Sequence, residues 1–143
     1  MSILKELSSN YRIDASKSAS NNKEIEKLIK FSKLQIPEDF LEVIRELTEV
    51  EINVDGEKYI RIWGADGCIE MNEAYNIQES IANSLAIADD EGCNALIYTE
   101  GKNGLGLYVI SFSDLDVDEL KYVAESLSDL LINNTGIDII KNC

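Results

Sequence analysis

Residues 85–112 read LAIADDEGCNALIYTEGKNGLGLYVISF, three apolar runs separated by two polar turns. The first run, Leu85 to Ala88, ends in Asp89, Asp90 and Glu91 and turns at Gly92. Ala95 to Tyr98 form the second, and a turn rich in Gly and Asn leads into the third. Short apolar runs bounded by Gly, Asn and Asp read as strands over about 84–88, 93–99 and 105–112, joined by hairpins. The same stretch sets the functional question. Three consecutive carboxylates can hold a metal, serve catalysis or present a charged loop to a partner.

Upstream, residues 1–20 are weakly patterned and read as an N-terminal segment that precedes or packs on a domain spanning 21–143. Ser16 to Asn22 read as a loop supplying a helix cap. Ile25, Leu28 and Ile29 then recur at helical spacing, and that helix should stop before Pro37. Pro37 looks like the first residue of a second helix, with Glu38 and Asp39 at its positive end and Phe40, Leu41, Ile44 and Leu47 as its stripe. After it the period changes to two. Val50, Ile52 and Val54 alternate with Glu51 and Asn53, and Asp55-Gly56 predicts a two-residue hairpin into Lys58–Trp63. Residues 64–84 read as short helices and loop. The last element, residues 116–131, reads as one amphipathic helix capped by Asp116, with Leu120, Val123, Ala124, Leu127, Leu130 and Leu131 on one face. Helices, then hairpin-linked strands, then a helix argue a single α+β domain with a largely antiparallel sheet flanked by helices.

Composition narrows the function. The 143 residues are 45% apolar, enough for a globular core. Thirteen basic against 27 acidic side chains give a net charge of −14, which disfavours nucleic acid and anionic membrane and favours a basic protein partner. Solubility alone also accounts for such a charge. Three cysteines without a CxxC pair, and no histidine, cannot build a structural zinc site and suggest reduced cytosolic thiols, two of them buried. No signal sequence or ~20-residue apolar span stands out, so a cytoplasmic location is expected.

Candidate chemical sites fail one by one. Asp114, Asp116, Asp118 and Glu125 match four positions of a calcium-binding EF-hand loop, but Glu119 stands where its glycine is required. Gly101 to Gly106 has the spacing G-x-x-G-x-G before a strand, the reverse of a dinucleotide-binding turn. Without histidine, Ser-His-Asp and Cys-His catalysis are excluded. A carboxylate pair of the glycosidase kind survives only as a third class of function. The expectation is therefore no catalytic residue, metal, cofactor or small-molecule substrate. Asp89, Asp90 and Glu91 are then either a solvated turn or a contact loop. Trp63, Asp66 and Tyr75 lie in the other turn-rich part of the chain and could share its rim as an aromatic anchor in an acidic surround, although core filler is the commoner role for a Trp such as Trp63, and Tyr75 carries the same ambiguity.

The order of these segments resembles a known family. IPEDFLEVIREL, YIRIWGADGCIEMNEAYN with its Asn-x-x-Tyr, LAIADDEGCNALIY and GLYVISFSDLD together resemble the SUKH superfamily from about Leu34 to Leu131. That group includes the yeast cell-wall assembly (glucan synthesis) regulator and many bacterial immunity proteins. LTEVEINVDG departs from the glycine-rich break that often follows the proline helix. The resemblance implies an α+β fold and a non-catalytic binding module. Its members are typically immunity proteins that neutralise a polymorphic toxin, often a nuclease or nucleotide-modifying enzyme, and others are intracellular regulatory scaffolds. A basic toxin domain would suit so acidic a chain, whereas the oligomeric state stays open.

Overall fold

In the computed structural model, which describes residues 2–143, seven strands form one sheet in the order of the chain. They are β1 (Tyr11–Ser18), β2 (Leu47–Val54), β3 (Lys58–Ile62), β4 (Ser84–Asp89), β5 (Asn94–Gly101), β6 (Gly104–Ser111) and β7 (Lys121–Ala124). Every neighbouring pair is antiparallel. The helices are α1 (Asn22–Phe31), α2 (Glu38–Ile44), α3 (Ala65–Ala74), α4 (Ile77–Ser80), α5 (Leu127–Asn133) and α6 (Ile137–Lys141). The fold is α+β, as expected.

Local chemistry sets the element ends. Asn21 caps α1 by accepting from the Glu24 N–H at 2.8 Å, while the Glu24 side chain accepts from the Asn21 N–H at 2.8 Å. Asp55 and Gly56 both take positive φ, as the predicted turn requires. Val54 nevertheless pairs with Lys58, so Glu57 is an extra loop residue.

Two expectations are corrected. Tyr11–Ser18, read as weakly patterned chain ending in a loop, is an edge strand paired with β2. Most of its residues face water, so no apolar alternation marks it. Residues 116–131 are not one helix. Asp116 caps only a 3-10 turn, Val117–Glu119; β7 then pairs with β6, and Ser126 caps α5 by accepting from the Asp129 N–H at 3.1 Å. With a second cap available, strand pairing overrides the helical spacing of Leu120, Val123 and Ala124. Two smaller corrections follow. Leu47 opens β2 instead of completing the α2 stripe, and only Cys68 is buried, Cys93 and Cys143 being exposed.

Burial follows the layers. In β2 and β3 the core side carries Val50, Ile52, Val54, Ile60 and Ile62, while Glu49, Glu51, Tyr59 and Arg61 on the other side are only partly covered. All six residues of β4, the central strand of the sheet, are buried, and α3 and α4 pack against it. The tie between α3 and β4 is the wholly buried Asn72. Its Nδ2 donates to the carbonyls of Cys68 at 2.7 Å and Ala86 at 2.8 Å. Its Oδ1 accepts from the Ala86 N–H and from Gln78 Nε2, both at 3.0 Å. Ala86 lies where the β4–β5 register shifts, so Asn72 satisfies backbone groups that the ladder misses there.

Asn72→Leu should therefore cost roughly 3 kcal/mol, by leaving the Ala86 N–H buried and unpaired and its C=O with only the weak Cys68 thiol donor at 3.1 Å. Thermal unfolding should show a melting point lowered by roughly 6–12 °C at this chain length. A shift under ~2 °C would show that Asn72 does not tie α3 to the sheet.

Candidate protein-binding face

The exposed side of β1–β3 carries one row of directly opposed residues that runs across the sheet. Ala15 faces Glu51, Glu51 faces Arg61, Arg61 faces Asp89, and Asp89 faces Ala95. Directly opposed side chains stand about 5 Å apart, so the row places charges in alternation. Asp89 is only 4% exposed. Its Oδ2 accepts from Arg61 Nη2 at 2.8 Å and Trp63 Nε1 at 2.9 Å, and its Oδ1 accepts from the Glu91 N–H at 2.8 Å. A buried carboxylate needs such donors, and it draws the Arg61 charge inward.

Asp90 is a turn former. Its carboxylate accepts from the N–H groups of Gly92 at 2.9 Å and Asn94 at 3.1 Å, from the Asn94 amide at 2.8 Å, and from Lys58 at 3.4 Å. Burial pushes its pKa up, but these donors outweigh burial and hold it below the ordinary value. Glu91, in the left-handed region at φ 59°, is the member of the triplet that reaches water. Burial, and then the neighbouring Glu51 carboxylate, raise its pKa. Glu49 also has positive φ (47°), and its Oε2 accepts from the Gly64 N–H at 3.0 Å. Ala15, Ser16, Lys17, Glu49, Glu51 and Arg61 line a cleft of about 150 Å³ on this face.

The structure thus divides the six expected contact residues. Trp63 is 1% exposed and cannot anchor a partner; its role is to hold Asp89. Asp89 is inaccessible for the same reason. Asp90 is half-buried in its own turn, which leaves Glu91. Asp66 is exposed in the first turn of α3, where the Glu24 carboxylate above all, and then burial, raise its pKa. Tyr75 follows the last turn of α3, roughly 13 Å further along the helix axis, and stacks on Phe112 with ring centroids 4.2 Å apart. Asp66 and Tyr75 therefore do not share one rim. Glu49, Glu51 and Arg61 were missed, because partly covered charges on a strand read as its solvent side. Among the described residues no three His, Cys, Asp or Glu side chains converge as a metal-ligand set, and no helix is long and apolar enough to cross a membrane.

The chain belongs to the SMI1 / KNR4 family (SUKH-1), whose family model matches residues 20–133. No curated protein matches it. The matched span begins after β1 and ends with α5.

The crowding of Glu51 and Glu91 opposes folding near neutral pH. A raised carboxyl pKa means that the folded state holds its proton more readily than the unfolded chain. The associated stability is present below the unfolded value and lost as pH rises through the folded one. Glu91→Gln should therefore raise the melting point near pH 7 by a small amount, since the site is largely solvent-screened, and should lose that gain near pH 4. Calorimetry at the two pH values checks this. Equal melting points at both would mean that the two acids do not repel.

Proposed function

We propose that the chain is a non-catalytic, cytoplasmic immunity protein that binds and neutralises a bacterial polymorphic toxin, with the exposed acidic face of β1–β3 and the Glu91 turn as its docking surface. The observation that carries the reading is the arrangement around Arg61. Its charge is committed to buried Asp89, so Glu49, Glu51 and Glu91 stand at the surface without an equal number of cations. Acids kept together against stability are what a surface selected for binding carries. A basic domain, such as a nuclease that must grip phosphate, supplies the missing cations, and the net charge of −14 steers it inward. Family membership supports a binding module of this kind.

The test is co-expression with the C-terminal domain of whichever polymorphic-toxin gene adjoins that of the chain. The wild type should protect. Reversing both Glu51 and Glu91 to Lys should slow association about tenfold or more, and the double Gln variant, which sets no new cation opposite Arg61, should slow it less while leaving the melting point no lower than that of the wild type. Raising the salt should weaken wild-type association. Unaltered kinetics in the double reversal would overturn the docking surface. Absence of protection by the wild type would overturn the immunity role in favour of a regulatory scaffold with endogenous partners.

A further inference from the structure

We infer that the free edge of β1 takes up an extended segment of the partner as an eighth strand, and that a Lys or Arg of that segment reaches across Ala15 into the acidic cleft. The inference rests on the protein-binding reading above and adds how the partner is held.

The two edges of the sheet differ. β7 has four residues, and α5 and α6 pack against it. β1 has eight residues and is exposed from Asp14 through Ser18. An edge of that length presents unpaired backbone donors and acceptors. The Asn10 carbonyl accepts from the Asp55 N–H, and antiparallel alternation then turns the N–H and C=O of Ile13 away from β2.

Charge decides what fills the edge. Self-pairing with a second copy would bring two chains of net charge −14 together along strands already twisted by register shifts at Ile13/Ala15 and Ala15/Lys17. On β1 itself, Arg12 is neutralised by Asp14 at 2.6 Å, which leaves Lys17 as its free cation. Against Lys17 the exposed face sets Glu49, Glu51 and Glu91. The complement is a basic extended segment.

Ala15 opens the way. An added strand would lie about 4.8 Å outside β1 and so about 10 Å from β2, a gap that an extended Arg or Lys side chain largely covers. Glu51 is the cross-strand partner of Ala15, whose single methyl leaves the cleft open over β1. A larger residue at that position would close it. β1 lies outside the span matched by the family model, so this edge is a feature the chain carries beyond that span.

The probe is a short synthetic peptide alternating arginine and threonine, titrated into the isotope-labelled full chain. Amide resonances of Ile13 to Lys17 should shift saturably. Ala15→Tyr, at an exposed strand position that favours tyrosine, should weaken binding about tenfold or more with an unchanged melting point. The same peptide N-methylated at alternate residues keeps its charge but loses its strand donors, and it should not bind. No binding, shifts away from β1, equal binding of the methylated peptide, or indifference to Ala15→Tyr would each overturn the inference. Peptide binding without protection from the toxin would remove the immunity role and leave the edge site standing. Protection undiminished in Ala15→Tyr would do the reverse.

Discussion

The Asp89 carboxylate is a charge inside the protein, and its need for donors organises everything around it. Leaving such a group unpaired costs several kcal/mol, so the chain must deliver donors to it from more than one element. Arg61 comes across the sheet from β3, Trp63 from the strand end just beyond, and the Glu91 N–H from the turn that follows. The last bond folds the turn back and places Glu91 in the left-handed region. Trp63 is fixed edge-on to the carboxylate and becomes core. Arg61 spends its charge inward, and the acids that share its face are left to the solvent.

Carboxylates on this molecule divide by what surrounds them. The Asp14 carboxyl is lowered to about 2, first by the Arg12 guanidinium and then by the Tyr59 hydroxyl. Asp55 is lowered by the Asn10 amide and by Lys141, and Asp90 by its turn donors and Lys58. These groups hold the fold together above the ordinary carboxylate range, and their contribution is lost as pH falls through the lowered values. Glu91 and Asp66 have the opposite sign, each raised in part by a neighbouring carboxylate. The stabilising acids each face a cation or a hydrogen-bond donor. The opposing acids instead each meet a second carboxylate at the surface, Glu91 against Glu51 and Asp66 against Glu24.

Much of the framework was legible because short-range rules agreed with one another. Hairpin turns, the proline boundary and the Asn-x-x-Tyr segment all led to the right architecture, and the Asn of that segment is the buried tie of α3 to β4. The register of the first hairpin was also within reach. A two-residue loop would set Ile52 opposite Tyr59 and turn one strand's apolar side to water, whereas the alternation of both strands demands Ile52 opposite Ile60. Applying that demand adds Glu57 to the loop and sets Glu51 opposite Arg61. What local rules could not supply is long-range. β1 is specified by pairing, since its own residues are mostly exposed, and β7 is a strand only because β6 needs a neighbour there. Trp63 and Asp89 were misjudged as contacts for the same reason, because their burial arises from each other.

With Trp63 withdrawn into the core, the aromatic side chain left on the acidic face is Tyr59, whose hydroxyl is held by Asp14 at 2.7 Å, and the Tyr75–Phe112 stack lies beyond the far end of α3. Interfaces usually draw most of their affinity from a few desolvated aromatic or arginine side chains. In the proposed complex the partner supplies that contribution, as a basic side chain buried among carboxylates. Such a pair is worth little at an open rim and much more where water is excluded. The cleft beside Ala15 gives the face depth, so in the proposed complex charge would set the speed of approach and the cleft the lifetime of the bound state.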